Sequence, residues 1–271
     1  MALHTVLRVF FMAQWVANWR EITGSSVLIP GNPKGIVHFL GGAFVAAAPQ
    51  VTYRFLLEYL ARERYVVIAT PFVNTLNHGE MAQEALNRFE QTCDRLYVTG
   101  QLRKRGLPVY GVGHSMGCKL HLLISSLFNV KRAGNVLMAY NNYPARRSIP
   151  FVDQLSLLTD VEFTPSPEQT QELIASHYGV RRNLLIKFQD DTIDQSLILR
   201  PVLEGMFPDW VSFRVLKGTH LTPIAQDIPW EVGQSFSPLD AMAQWVKQGV
   251  YRDLNRLTRE VGFWLDPTTV R

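Results

Sequence analysis

Cysteine is scarce: Cys93 and Cys118 are the only two in 271 residues. They are too few for a disulfide framework, and their spacing matches no metal-ligand pattern. That points to a reducing, cytoplasmic compartment. Long apolar runs are also missing. The stretch Val6 to Trp19 is interrupted by Arg8 and Asn18, is too short to span a bilayer and leads to no small-residue cleavage site. It reads as a strand or helix that caps the core, with a membrane-surface anchor as the sharper alternative. Charge of one sign is thin as well, with 27 Lys and Arg against 23 Asp and Glu and a formal net charge of +4. Apart from Arg103, Lys104 and Arg105 the cations are scattered, and no basic stripe interleaved with aromatics occurs, which argues against a nucleic-acid partner. No HExxH pattern and no grouped Cys and His ligands appear, and His78 beside Gly79 and Glu80 reads as a helix start. Neither a metal nor a cofactor is expected. No repeat, low-complexity tract or Pro/Gly/Ser-rich linker divides the chain, so 1–271 reads as one domain.

What is present is an alternation. Hydrophobic residues at 47% and charged residues at 18% suit a globular core. Val27 to Ile29 and Ile36 to Leu40 are short β-rich runs around a Pro/Gly turn. Tyr53, Leu56, Leu57 and Leu60 follow at helical spacing and lead into the apolar strand Tyr65 to Ala69. Ala82, Ala85, Leu86, Phe89, Cys93 and Leu96 repeat the pattern before a strand at Pro108 to Val112. A helix over Lys119 to Phe128 and strands at Asn135 to Tyr140, Leu184 to Phe188 and Val211 to Leu216 continue it. A last helix starts at Ser237, Pro238 and Asp240, carries Leu239, Met242, Ala243 and Val246 as its stripe, and is expected to stop at Gly249. Such a series predicts an α/β fold with a mostly parallel twisted sheet, helices on both faces and a site at the carboxyl ends of the strands. Residues 141–182 break the alternation. Ser166, Pro167 and Gln169 start a helix there that Gly179 ends, and the segment is expected to be a lid insertion over the sheet edge.

Gly113, His114, Ser115, Met116 and Gly117 spell GxSxG. The pentapeptide alone is weak, but here a strand runs into it and a helix runs out, the strand–turn–helix of a nucleophile elbow. A serine hydroxyl is a poor nucleophile at neutral pH and needs a base oriented by a carboxylate. In this fold the chain order is Ser, Asp, His. His220 follows the strand Val211 to Leu216, whereas His177, the other downstream histidine, falls in the expected lid. His220 is therefore the expected base. The acid should follow the strand Leu184 to Phe188, where Asp191 sits about three residues past the strand end, with Asp190 and Asp194 as alternatives. The first oxyanion donor is the backbone N–H of Met116. The second comes from the Gly41, Gly42, Ala43, Phe44 loop, with Ala43 favoured and Gly42 and Phe44 as neighbours. His114 reads as a packed elbow residue, His121 as part of the outgoing helix, and His38 as lying along an early strand.

The strings GIVHFLGGAFVAAAP at 35–49, YRFLLEYLA at 53–61, VVIATPF at 66–72, GHSMGCKLH at 113–121, NNYPARRSIPF at 141–151 and GTHLTP at 218–223 resemble an α/β-hydrolase-like family of photosynthetic bacteria and plastids that is known chiefly as a domain of unknown function. The resemblance covers nearly the whole chain. It implies the fold, a nucleophile at Ser115 and a base at His220, and no particular substrate. The chain departs from better-known hydrolases in having Phe188 and Gln189 where a glycine is common, and Leu40 and Gly41 in place of a His-Gly pair. The expected activity is hydrolysis of a carboxylic ester or thioester through an acyl-enzyme. Phe151, Trp210 and Trp230 hint at an apolar acyl or alcohol group, or are core. An acyltransferase on the same residues, or a small-molecule-binding protein with a hydrolase fold, are the competing readings.

Overall fold

The computed structural model of the chain describes residues 17–148, 162–224 and 238–268, with backbone only at 238–250. Strands β1 (Arg20–Ile22), β2 (Ser25–Leu28), β3 (Gly35–Leu40), β4 (Tyr65–Ala69), β5 (Val109–His114), β6 (Gly134–Met138), β7 (Asn183–Phe188) and β8 (Val211–Leu216) form one sheet. Its order is β1-β2-β4-β3-β5-β6-β7-β8. Only the β1–β2 and β2–β4 pairs are antiparallel; β3 pairs with β4 and β5 in parallel, as do the strands from β5 through to β8. Every residue of β3, β4 and β6 is buried. This is why these strands read as continuous apolar runs without alternation, as expected for a sheet covered on both faces.

Helices α1 (Pro49–Thr52), α2 (Arg54–Arg62), α3 (His78–Val98), α4 (Met116–Leu127), α5 (Ala145–Ser148), α6 (Pro167–His177), α7 (Ser196–Met206) and α8 (Pro238–Leu265) complete the described fold. Leu56, Leu57 and Leu60 of α2 bury completely, beside Leu254, Leu257 and Val261 of α8, on one face of the sheet. Each such leucine is worth about 1.5–3 kcal/mol of transfer free energy. The other face carries α3 and α4 through Met81, Ala85, Leu120 and Leu123, and α6 and α7 through Ile174, Leu199 and Leu203. Asn77 accepts the Glu80 N–H at the start of α3, so His78 stands in the first turn. Ser166 and Gln169 form a reciprocal capping box on α6.

The sequence reading needs correction at two places. Gly249 does not end the last helix: α8 runs through it to Leu265. The roughly 1 kcal/mol that an interior glycine costs is outweighed by the stripe of Leu254, Leu257, Val261, Trp264 and Leu265, all buried. Helix α6 does not arch over the sheet edge. It packs beside α4 as the crossover between β6 and β7, with Ile174 and Tyr178 buried against Cys118 and Leu122. Of the expected lid, only the turn and short helix between Asn141 and Ser148 and the stretch from Glu162 to α6 are described outside that layer. Residues 1–16, Phe151 and Trp230, and the start of the last helix at Ser237, lie outside the described residues, as do the side chains of Leu239, Met242, Ala243 and Val246. Trp19 is half-buried against the main cluster. Among the described residues no helix is long and apolar enough to cross a membrane.

Candidate active site

Strand β3 connects back to β4 on one side, while the chain beyond β5 runs to the other side of the sheet. The crevice above β3 and β5 is thus a topological switch point, where ligands of open α/β sheets bind. Each of the parallel strands on that side of the crevice ends in a residue of the site: Ser115 after β5, Asn141 shortly after β6, Asp191 after β7 and His220 after β8, with Gly42 and Ala43 after β3.

Ser115 sits between β5 and α4 at φ 54° and ψ −118°, a conformation few L-residues adopt. Its N–H is held by the Met138 carbonyl at 2.9 Å. The flanking glycines are sterically required. A Cβ on Gly117 would lie 2.0 Å from the Leu40 carbonyl oxygen, and one on Gly113 would lie 2.7 Å from backbone atoms of Gly117 and Cys118. The turn therefore presses the elbow against the end of β3 and aims Ser115 Oγ outward. The N-terminus of α4, with its partial positive charge, lies directly behind Ser115.

His220 Nε2 lies 3.0 Å from Ser115 Oγ, and His220 Nδ1 lies 2.8 Å from Asp191 Oδ2. The carboxylate accepts the Nδ1 proton, which leaves Nε2 bare to accept the serine proton. Asp191 Oδ1 also accepts the Ile193 N–H at 3.0 Å. Asp191 is 5% exposed. Burial on its own would raise its pKa, yet the hydrogen bonds from His220 and the Ile193 N–H, with the charges of His220 and Lys187, hold it below the ordinary aspartate value. The rival acids are placed elsewhere. Asp190 is exposed. Asp194 accepts the N–H and hydroxyl of Ser196 at 2.8 and 3.0 Å and so caps the start of α7; its burial raises its pKa.

Met116 opens α4 and Ala43 opens a 3-10 turn over Ala43–Val45, positions whose N–H groups have no partner within their own helix. Both line a cavity of about 320 Å³ that also takes in Ser115, His220, Asn141 and Ile193. Gly42 is a correction. Its N–H donates to Tyr53 Oη at 2.7 Å and is no longer available to a substrate oxygen. The side chain of Phe44 lies outside the described residues.

Sequence reasoning missed one neighbour of Ser115. Asn141 Nδ2 donates to Ser115 Oγ at 3.1 Å, which leaves the serine's own proton directed at His220. Its signal was positional, a polar residue just past the end of a buried parallel strand. His114 is more than a packed residue, since both its ring nitrogens are hydrogen-bonded. His38 of β3 and His121 of α4 pack edge to face beside Phe89 of α3 and are not among the residues lining the cavity. Trp210 does not reach the cavity; it lies half-exposed beneath the Arg181 guanidinium. Val45, Met116, Ile193, Leu221 and Ile224 give the cavity its apolar lining. Among the described residues no three His, Cys, Asp or Glu side chains are grouped so as to hold a metal ion, and Cys93 and Cys118 are free thiols.

The model of the family described as "Protein of unknown function (DUF1350)" matches residues 18–267, and the chain belongs to that family. No curated protein matches the sequence. Among solved structures the chain is similar to FphF of Staphylococcus aureus, a fluorophosphonate-binding serine hydrolase (TM-score 0.53, 13% identity, 88% of this chain and 97% of that one). It is similar to the dienelactone hydrolase of Anabaena variabilis (TM-score 0.53, 14% identity, 92% and 95%), and to the S-formylglutathione hydrolase of Staphylococcus aureus (TM-score 0.53, 14% identity, 89% and 96%). At these identities the likeness shows the fold, which is that of the α/β-hydrolases.

Proposed function

We propose that this DUF1350 member is a serine hydrolase that cleaves a carboxylic ester or thioester through an acyl-enzyme, with Ser115 as nucleophile, His220 as base and Asp191 as the orienting acid. The observation that carries the reading is the continuous Ser115–His220–Asp191 hydrogen-bond line, at 3.0 and 2.8 Å, opening on the cavity. In the first step Ser115 Oγ attacks the substrate carbonyl while its proton passes to His220 Nε2. The Met116 and Ala43 N–H groups receive the oxyanion, each such donor being worth about 2.7–4 kcal/mol in the barrier. His220 then protonates the departing alcohol or thiol. A water then attacks the acyl carbonyl, giving a proton to the same nitrogen; the bond to Ser115 Oγ breaks, His220 returns that proton to Oγ and the acid leaves, while Asp191 keeps Nδ1–H in place throughout. The lining of Val45, Met116, Ile193, Leu221 and Ile224 favours a substrate with an apolar group beside the reacting carbonyl. The free thiols fit a reducing, cytoplasmic setting, and Tyr143 and Arg147 of the expected lid segment line the cavity.

The test is to treat the purified protein with a fluorophosphonate probe and map the labelled peptide, beside Ser115→Ala and His220→Ala. Labelling at Ser115 that both substitutions remove is the expected result, followed by turnover of p-nitrophenyl esters or acyl-CoA thioesters. A well-folded wild type that stays unlabelled would overturn the reading in favour of a binding protein.

A further inference from the structure

Behind the nucleophile a second hydrogen-bond line crosses the site. It runs from Gly42 N–H to Tyr53 Oη at 2.7 Å, from Tyr53 Oη to His114 Nδ1 at 2.7 Å, and from His114 Nε2 to the His220 carbonyl at 2.8 Å. Tyr53 and His114 are both buried. The protons in this line can be counted. A backbone N–H only donates and a carbonyl only accepts, so Tyr53 Oη accepts from Gly42 and His114 Nε2 must carry a hydrogen. Burial lowers the His114 pKa to about 3, with His220 adding to the fall; the ring is neutral and has no second proton. Nδ1 is therefore bare, and the Tyr53 hydroxyl donates to it. Each donor meets one acceptor, and the direction is the same along the whole line.

The ends of this line matter more than its middle. One end is the amide next to Ala43, the other the backbone of the general base. The contacts span 11, 61 and 106 residues of sequence, so the line joins the β3 loop to the β8 loop beneath Ser115. Space there is tight: a Cβ on Gly42 would lie 3.2 Å from His114 Nδ1 and 3.3 Å from Tyr53 Oη. Asn74 Nδ2 holds the loop from the far side through the Ala43 carbonyl at 2.5 Å.

We infer that Tyr53 and His114 are positioning residues that lock the oxyanion loop to the backbone of the general base: Tyr53 draws the Gly42 N–H inward so that the Ala43 N–H faces the nucleophile, and His114 fixes His220 from behind. This rests on the serine-hydrolase reading above. Neither side chain transfers a proton to substrate. Because an oxyanion forms only in the transition state, loosening its donor lowers kcat and leaves ground-state binding unchanged.

The test is Tyr53→Phe, which removes one oxygen and keeps the ring, read as kcat and KM per fluorophosphonate-titrated site. A fall in kcat of roughly 10- to 100-fold, below the loss of a whole oxyanion donor, with KM within about twofold, is expected. An unchanged kcat per titrated site with a smaller titrated fraction would mean that the hydroxyl supports folding only, and the inference would fail. Nitrogen-15 NMR of the wild-type histidines gives a second arm that does not depend on turnover or on the variant folding. The His114 ring is expected as the neutral Nε2–H tautomer from neutral pH down to about pH 5; the Nδ1–H tautomer, or a ring that titrates in that range, would break the line. If the wild type takes no fluorophosphonate, the hydrolase reading falls and the tautomer result stands apart from it.

Discussion

Two groups of buried histidine lie on opposite sides of β3 and β5, and they differ in wiring rather than in burial. His114 has a partner at each ring nitrogen, and those partners lead to the Gly42–Ala43 loop and to the His220 backbone. His38 accepts from Arg132 Nη2 at 3.0 Å and stacks on Phe89 at 4.2 Å, with His121 edge-on at 5.1 Å. Its Nε2, together with Arg132 Nη1 and Asn135 Oδ1, meets no hydrogen-bond partner among the described residues. Burial lowers the pKa of all three rings, His114 and His121 to about 3 and His38 well below the usual value. A shifted pKa therefore does not single out the site here; only the hydrogen-bond path to Ser115 does.

The sharpest way to break that comparison is at Ser115, the proposed nucleophile. Ser115→Ala should lower kcat by roughly 10^6-fold with an unchanged melting transition, as read by ester turnover and calorimetry; substantial residual turnover would move the chemistry elsewhere. Next in size is Asp191→Asn, which loses the acceptor that fixes the His220 tautomer and should cost roughly 10^4-fold in kcat. Asp190→Asn beside it should stay within about twofold, the scale of a surface change. Equal losses in the two variants would reassign the acid.

Smaller effects test what the two groups share. His38, His78, His114 and His121 are neutral when folded because burial lowers each pKa, whereas in the unfolded chain each takes a proton near pH 6.5. Below about pH 6.5 the unfolded state binds more protons, so stability is full above that value and falls as pH drops, by about 1.4 kcal/mol per pH unit for each ring; for His78, His114 and His121 the fall continues towards about pH 3. Urea unfolding at about pH 7.5 and about pH 5 should show the loss. His121→Leu should flatten this slope by one ring and leave kcat per titrated site within about twofold. A flat slope in the wild type, or a large catalytic loss in this variant, would erase the distinction between the two groups.

The elbow was legible because its requirements are local: an apolar strand, two glycines at fixed offsets and a helix within a few residues. That His220 and Asp191 come together with Ser115 was legible from chain order and from counting past strand ends. Tyr53 and His114 were hidden, since Tyr53 sits in register with the stripe of α2 and His114 inside the motif, and their partners lie 61 and 106 residues away with no periodic trace. Helix α7 was missed because Pro201 stands inside it, where a proline argues against a helix. The end of α8 was misplaced because Gly249 is a good local stop signal that distant packing overrides.

If Ser115 and His220 act as proposed, the separation of 105 residues between them also sets when the chain becomes reactive during its own synthesis. The elbow can form once β5 and α4 have been made, yet the proposed base cannot reach its serine until residue 220 has been added and β8 has paired with β7. With β6 and β7 already paired, what is left to close is the connection from Phe188 to Val211, at about 3 kcal/mol in chain entropy, which the last parallel strand pair must supply. A stalled or truncated product ending before residue 220 would carry the motif without the reactivity, and fluorophosphonate labelling of nascent chains would mark the completion of the sheet.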